Sequence, residues 1–355
     1  LAGGDDLPLV PAFDALGAGD RTLLRDAVHL DPTGSRLAIV ARTAVSLYRL
    51  AVAGAPVLVA SFPHPDGARV RVALGERYLA RAVASGVVTV HDAGDGREVY
   101  SRPLREPDVR AIALFEGTGF VAVGGWYDRV HVHRFLGGEE PISFARHGST
   151  SALAWLSDGP TLVVGGDGGV DLFRVRGGHV GHVGQASDVV GSLLVSPRGI
   201  HALDERHHRL WTLAYRGIRG LERVRVSERE IWALAVSGDA IFLGGKDGAL
   251  RVFRPGQPLA EARVHTDGIT SLALGGGFLA TASDDRTIGV WDVSGREPRV
   301  TWRSRAHDFL VNALLLAGSP PSLWSSSSDG TIKHWSWPEL EVVESLSTTA
   351  LLGER

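Results

Sequence analysis

Residues 280–295, ATASDDRTIGVWDVSG, hold the pattern that decides the fold of this chain. A β-rich run enters an Asp-rich turn, and a second β-rich run leaves the turn and ends in Trp291 and Asp292. Such a pattern is either a site that performs chemistry or a structural joint. The number of copies decides between the two, because a joint recurs at a fixed period whereas a catalytic site has no need to.

The pattern recurs along the whole chain. Residues 325–337, SSSSDGTIKHWSW, are the clearest copy, and GGKDGALRVFRPG and GGDGGVDLFRV are further ones. The position of Trp291 then defines a column of Tyr48, His91, His133, Phe173, Trp211, Phe253, Trp291 and Trp335. Its successive spacings are 43, 42, 40, 38, 42, 38 and 44 residues. Eight evenly spaced copies indicate a repeat protein.

Each period contains four short β-like runs separated by Gly, Asp, Pro or Ser turns. In the clearest copy these runs are residues 269–274, 278–283, 287–293 and 298–304. Four strands in about 40 residues describe one blade of a β-propeller. The sequence therefore predicts an all-β propeller of four-stranded antiparallel blades with eight blades, and the alternative is seven blades plus a divergent first repeat.

The predicted propeller domain covers residues 26–347. Residues 1–25 are expected to be a lead-in or an added strand, and residues 348–355 a C-terminal tail. The run 341–347, EVVESLS, is predicted to be the outer strand of the last blade. Since the chain starts without Met, we expect a processed chain or part of a longer one.

The motif VWD at residues 290–292, together with D-x-T-I-x-x-W in the last two copies, resembles the WD-repeat family. The resemblance implies a hydrogen-bonded tetrad of His, Ser or Thr, Asp and Trp in each complete repeat. Its members would be His265, Ser283, Asp285 and Trp291 in repeat seven, and His307, Ser327, Asp329 and Trp335 in repeat eight. Such a network satisfies buried polar groups across the turn. We therefore interpret the tetrads as structural joints.

Composition sets further limits. The 355 residues include no Cys, so disulfides, thiolate metal sites and Cys nucleophiles are excluded. Their net charge of −3 gives no reason to expect nucleic acid or an anionic membrane as partner. No apolar run reaches the roughly 18 residues of a membrane span. We expect a cytoplasmic protein, and the abundance of Arg and Gly leads us to expect a bacterial source.

Compared with the repeat pattern, the sequence gives little evidence for a phosphate, metal, catalytic or nucleic-acid site. The Gly-rich segments 165–169 and 244–248 lack phosphate-loop spacing. His131 and His133 share a strand face, but no third metal ligand accompanies them. The Arg-rich segment 216–230 is interleaved with Glu, which is typical of a solvated strand. We predict no catalytic residue, no metal, no cofactor and no nucleic-acid partner.

A partner is expected on the face that carries the loops before the first strands and between the second and third strands. The first-strand column is Asp26, Val70, Arg110, Ser151, Gly191, Trp232, Thr270 and Asn312. Trp and Arg dominate binding hot spots. The predicted partner-binding residues are Trp232, Arg110, Trp126, Tyr127, Phe309, Asp26 and Asn312.

The predicted function is a non-enzymatic scaffold or sensor subunit that binds a protein or peptide on this top face, within a larger complex or a longer chain. The alternative is a propeller enzyme or small-ligand binder that uses the central channel.

Overall fold

A computed structural model describes most of the chain between residues 28 and 347. The described residues are 28–31, 33–41, 43–50, 56–66, 68–84, 86–104, 109–156, 159–176, 179–186, 192–196, 199–204, 209–214, 222–225, 227, 229–295, 298–317, 322–337 and 339–347. They form 32 strands, which are grouped in eight four-stranded antiparallel sheets. The sheets are numbered here as blades 1 to 8 in chain order.

The four strands of a blade follow one another from the inside to the outside of the ring. The first strands are β1 (Val28–Leu30), β5 (Val70–Leu74), β9 (Ala111–Phe115), β13 (Thr150–Trp155), β17 (Ser192–Ser196), β21 (Ile231–Ser237), β25 (Ile269–Gly275) and β29 (Val311–Ala317). The second strands are β2 (Arg36–Val40), β6 (Tyr78–Val83), β10 (Phe120–Gly124), β14 (Thr161–Gly166), β18 (Gly199–Asp204), β22 (Ala240–Gly245), β26 (Phe278–Ser283) and β30 (Ser322–Ser327).

The outer two strands complete each blade. The third strands are β3 (Ala44–Arg49), β7 (Val87–Asp92), β11 (Arg129–Arg134), β15 (Gly169–Arg176), β19 (Arg209–Ala214), β23 (Ala249–Phe253), β27 (Thr287–Asp292) and β31 (Thr331–Trp335). The fourth strands are β4 (Val57–Pro63), β8 (Glu98–Pro103), β12 (Ile142–Ala145), β16 (His179–Ala186), β20 (Glu222–Arg225), β24 (Ala260–Arg263), β28 (Arg299–Arg305) and β32 (Val342–Ser347). Strand β32 is the predicted outer strand of the last blade.

The blades close into a ring. Each first strand contacts the first strand of the next blade, from β1 and β5 through to β25 and β29, and β29 in turn contacts β1. Residues 1–25 lie outside the described residues, so their predicted role as a lead-in or added strand stays a prediction, as does the tail 348–355.

Apolar clusters at the seams between neighbouring blades hold the ring together. At the seam between blades 8 and 1, Leu37, Ile39 and Tyr48 pack with Trp324 and Ile332. Comparable clusters join blades 1 and 2, 2 and 3, 3 and 4, 5 and 6, 6 and 7, and 7 and 8. Full burial of such side chains contributes about 1.5–3 kcal/mol each, so seam packing is the main source of cohesion.

The repeat column occupies one structural position throughout the ring. All eight of its members lie on third strands, and the seven whose side chains are described are buried. In five blades the outer strand has a register shift opposite this residue, for example between Val290 and Trp291. A bulge increases the local twist of the outer strand, so in these five blades the column also marks where the blade bends.

Candidate protein-interaction face

The tetrad of blade 7 spans the turn between β26 and β27. His265 Nδ1 lies 3.2 Å from Asp285 Oδ2, and its Nε2 lies 2.7 Å from Thr281 Oγ1. Trp291 Nε1–H donates to the same hydroxyl over 2.9 Å. With Nδ1–H donating to the aspartate, Nε2 accepts from Thr281 and the chain of hydrogen bonds is complete.

The hydroxyl that bridges His and Trp is therefore Thr281 and not Ser283. Thr281 pairs with Gly289, which has no side chain, so the indole of Trp291 reaches across the third strand to it. Ser283 lies at the end of β26, where its hydroxyl donates to Asp267 O over 3.1 Å and accepts from Asp285 N–H. Ser283 therefore caps the turn and does not link the imidazole of His265 to the indole of Trp291.

Blade 8 repeats this arrangement with Ser325, and not Ser327, as the bridging hydroxyl. Ser325 Oγ lies 2.7 Å from His307 Nε2 and accepts from Trp335 Nε1–H over 2.8 Å. Burial alone would raise the pKa of Asp329, but hydrogen bonds from Thr331 and from the Asp308 N–H, with the charge of His307, lower this pKa to about 2. The carboxylate is thus ionised throughout the neutral range.

Blades 4 and 6 replace the tetrad with buried arginines. In blade 4, Arg146 stands four residues before its first strand, as His265 does in blade 7, and its Nε–H donates to Asp171 over 3.1 Å. In blade 6, Arg251 binds Asp247 with two N–H groups, at 3.1 and 2.6 Å. Burial lowers the pKa of Arg146 despite Asp171, whereas the hydrogen bonds and charge of Asp247 outweigh burial and raise the pKa of Arg251.

The strand register explains why the residues change together. Leu243 and Val164 occupy the places of Thr281, opposite Arg251 and Asp171 respectively. The column residues of these blades are Phe253 and Phe173, which have no N–H to satisfy. In blades 7 and 8, where the column holds Trp, this place therefore holds a hydroxyl residue, and in blades 4 and 6, where the column holds Phe, it does not. Arg146 and Arg251 are not part of the His-Asp-Trp pattern, so that pattern does not predict their role.

The first-strand column corresponds to a repeated bulge. In blades 4, 6, 7 and 8 the register between first and second strands shifts at Ser151, Trp232, Thr270 and Asn312. Bulges re-aim a side chain at the end of a strand. Asn312 Oδ1 accepts a hydrogen bond from Ser328 at 3.1 Å. Asp26 and Gly191 lie outside the described residues.

Trp232 is half-buried instead of fully exposed. Its ring rests on Gly268 of blade 7, where an added Cβ would come within 2.3 Å of Cζ3. Its Nε1–H donates to Glu230 over 3.2 Å, and Lys246 Nζ lies 5.5 Å from the ring centroid. Trp232 borders a depression of about 560 Å³ whose lining also includes Arg229, Lys246, Asp247, Arg263, Asp267, Asp284 and Leu310.

Arg110 and Trp126 form a close cation–π pair on blade 3. The Arg110 guanidinium carbon lies 3.3 Å from the ring centroid, while Trp126 remains 55% exposed. Tyr127, the next residue of the same turn, is also exposed. Both aromatic residues precede β11, so they lie on the same face as Trp232.

A third pair joins blades 7 and 8. Arg286 lies 5.8 Å from the ring centroid of the exposed Phe309. Its φ of 72° is left-handed, and blades 6 and 8 hold Gly248 and Gly330 in this conformation at the corresponding turn. A non-Gly residue in this region costs on the order of 1 kcal/mol or more. The turn therefore carries strain that two other blades avoid.

No helix long and apolar enough to cross a membrane occurs in the part of the chain that the structure describes.

His133 is buried, and its Nδ1 lies 3.0 Å from Tyr100 OH. Among the described residues, no group of three or more His, Asp or Glu is placed to hold a metal ion.

Residues 256–292 match the family model of the WD domain, G-beta repeat. The target of rapamycin complex subunit wat1 of Schizosaccharomyces pombe is 36% identical over 80 residues, which make up 22% of this chain and 24% of that protein. The crystal structure of the computationally designed Ika8 protein matches with a TM-score of 0.71 and 19% identity, over 93% of this chain and 99% of that chain. At this identity the likeness to Ika8 shows the fold alone.

The ring of blades, the tetrads and the match of residues 256–292 to the WD domain model together define a β-propeller that resembles WD-repeat proteins. They confirm the predicted resemblance to the WD-repeat family and the predicted all-β fold. Proteins with WD40 repeats generally act as protein-interaction scaffolds.

Proposed function

We propose that this propeller is a non-enzymatic scaffold or sensor subunit that binds a protein or peptide partner on its top face. The observation that carries the proposal is the clustering of cation–aromatic pairs on that face: Arg110 with Trp126, Lys246 with Trp232, and Arg286 with Phe309. Trp126 and Phe309 are exposed and Trp232 is partly exposed, and aromatic and Arg side chains are the groups that dominate binding energy when a partner buries them.

Strain at Arg286 supports the same role. A glycine would relieve the left-handed turn, as it does at Gly248 and Gly330, yet an arginine is present beside an exposed Phe309. Strained positions cluster where a side chain has a task outside folding. The relative wat1 is by name a subunit of the target of rapamycin complex, and we extend to this chain only the general role of complex subunit.

The setting we propose is a cytoplasmic multiprotein system of a bacterium, which the Arg- and Gly-rich composition favours. The predicted absence of catalysis is part of the same proposal. The buried Asp, His and hydroxyl groups described above are already engaged in turns that recur from blade to blade, as structural joints do.

The test is a quantitative affinity purification from host lysate with the immobilised chain. It compares the wild type with a Trp232→Ala, Arg110→Glu variant and with a matched variant of the opposite face, Leu136→Ala, Arg97→Glu. All three must show the same melting temperature. We expect a partner that the top-face variant loses and the matched variant retains. A partner that both variants retain would contradict the proposal.

A further inference from the structure

The outer edge of the ring carries exposed apolar side chains on three consecutive blades, 7, 8 and 1. Among the described residues, five of the nine exposed large apolar side chains lie on the outer strands of these blades: Val57, Leu58, Val300, Val342 and Val343. Leu58, Val300 and Val342 occupy equivalent positions, each opposite the column residue of its blade. Blades 2 and 5 have the charged residues Glu98 and Arg223 at this position. The apolar position is therefore a feature of one side of the ring.

Strand β4 of blade 1 is the least protected of these edges. Residues 50–63, LAVAGAPVLVASFP, contain no charged residue, and β4 pairs with β3 as the outermost strand of its sheet. Charged side chains on an edge strand oppose pairing with another chain, and β28 and β32 carry such residues, for example Arg299 and Glu344. Among the outer strands whose side chains are described, β4 alone combines exposed apolar residues with the absence of charge. Such an edge needs a cover.

A contact with the next blade closes one end of this edge. Arg81 of blade 2 donates to the carbonyl oxygens of Phe62 and Pro63, both over 3.1 Å. Residues 57–61 are then the stretch of β4 beside which a further strand can form. The cover that fits this stretch is an extended, apolar segment of about five residues, since strands pair residue by residue.

The chain itself contains such a segment before β1. Residues 7–13, LPLVPAF, are apolar throughout. Pro11 biases Val10 towards an extended backbone. A strand over residues 9–13 can direct the N–H groups of Val10 and Ala12 towards β4, because alternate residues point to the same edge. The nitrogen of Pro11 then points away from the sheet, which is where an edge strand tolerates proline.

The connection from this segment to blade 1 is long enough. Fourteen residues, 14–27, separate Phe13 from Val28, and an extended chain of that length spans up to about 46 Å. A fifth strand on blade 1 would lie four strand spacings from β1, or about 19 Å, and the length of β4 adds about 24 Å at most. The segment can therefore reach any part of the edge.

We propose that residues 9–13 form a fifth strand of blade 1 beside β4 and cover Val57 and Leu58. The occupant of the apolar edge is thus a segment of the same chain. The cover prevents two copies of the chain from pairing edge to edge. This role is independent of the partner proposed for the top face.

The test uses the absence of native cysteine, because two introduced cysteines then report only on each other. Ala12→Cys and Leu58→Cys are combined in the full chain and treated with a short bismaleimide. The matched pair is Ala12→Cys with Leu136→Cys, since Leu136 is an exposed apolar residue of blade 3. We expect an intramolecular cross-link in the first pair and none in the second. No cross-link, equal cross-linking of both pairs, or a product of doubled mass would each overturn the proposal, the last in favour of a second copy.

The rate of maleimide labelling at Leu58→Cys measures the cover directly. Leu9→Asp with Phe13→Asp removes the apolar contacts of the segment and keeps its length. We expect labelling of Leu58→Cys to become at least about tenfold faster in this background, and labelling of Leu136→Cys to stay the same. An unchanged rate at Leu58→Cys would show that the segment does not cover β4 and would overturn the proposal.

Discussion

Blades 7 and 8 join their top turns with a His, a hydroxyl, an Asp and a Trp, whereas blades 4 and 6 do so with an Arg and an Asp. In blade 7 the network surrounds a small residue, Gly289, which leaves room for the Trp291 indole. In blade 6 the same strand position holds Arg251, and the column residue is Phe253. The shared requirement is that polar groups buried beneath the turn have partners; the residue types that meet it can differ.

The two solutions differ in how they respond to the loss of one member. A tetrad that loses its hydroxyl leaves neutral hydrogen-bonding groups unsatisfied, whereas a buried ion pair that loses its cation leaves an uncompensated charge. Of the two ion pairs, the one in blade 4 is the more deeply buried, since the Arg146 side chain is fully buried and that of Asp171 is 5% exposed. The comparison therefore predicts an order of mutational effects.

The largest effect is expected in blade 4. Arg146→Met removes the cation that pairs with the buried Asp171 carboxylate and should destabilise the propeller by about 3–5 kcal/mol, measured as a lower midpoint of urea unfolding. Arg146→Met combined with Asp171→Leu should recover part of the loss, because it removes the uncompensated charge but still leaves Ser149 O and Gly169 O without the N–H groups of Arg146. A double variant as unstable as the single one would show that the ion pair is not the relevant feature.

Blade 7 should respond less strongly, and the response identifies the bridging hydroxyl. Thr281→Val removes the partner of both His265 and Trp291 and should cost roughly 2–4 kcal/mol. Ser283→Ala removes a turn cap and should cost about 1 kcal/mol. Equal losses in the two variants, measured by the same urea titration, would return the tetrad role to Ser283.

The His members of the column predict a loss of stability in weak acid. Burial lowers the pKa of His91 and His133 to about 4, with neighbouring cationic groups adding to the effect. Since the unfolded pKa is near 6.5, the unfolded chain binds more protons between these values. Stability is complete above about pH 6.5 and falls as the pH drops to 4, by on the order of 2–3 kcal/mol for each group.

Melting temperatures recorded from pH 7 to 4 measure this loss of stability. His91→Phe should make the melting temperature depend less on pH, because it removes one of the titrating groups. The column accommodates Phe, since blades 4 and 6 already have it there. Asp329 acts at lower pH: its contribution is present above about pH 3.8 and is lost as the pH falls through about 2. A flat profile between pH 6.5 and 4 would contradict the assignment of buried neutral histidines.

The smallest effect has the opposite sign. Arg286→Gly should stabilise blade 7 by about 1 kcal/mol, because glycine adopts a left-handed φ without strain. Gly330→Ala in blade 8 is the matched change and should destabilise. Thermal melting distinguishes the two, and a destabilised Arg286→Gly protein would mean that the contact with Phe309 contributes more than the turn strain costs.

The repeat column allowed much of the fold to be predicted from sequence. The four runs predicted around residue 290 agree with β25 to β28 to within one residue at each end, since turn residues bound every strand. The bridging hydroxyl was misplaced because Thr281 and Ser283 share a strand face, and only the register with Gly289 separates them. Arg146 could have been found from its place four residues before a first strand.

The top face was harder to predict in detail. Trp232 is half-buried because its ring rests on a glycine of the next blade, and contacts between blades leave no local sequence signal. The stacking of Arg110 on Trp126 joins residues separated by a whole strand pair and is likewise a product of the folded ring.

Site-specific photo-crosslinking most directly tests the claim that the blades are scaffolding and the top face is the working surface. A photoreactive residue is placed at Tyr127 on the top face, at Arg97 on the opposite face or at Val300 on the outer edge, and the three proteins are irradiated in host lysate. We predict that a partner is captured from position 127 alone, and that Trp232→Ala reduces its yield. Capture from position 97 or 300, with none from 127, would contradict the account.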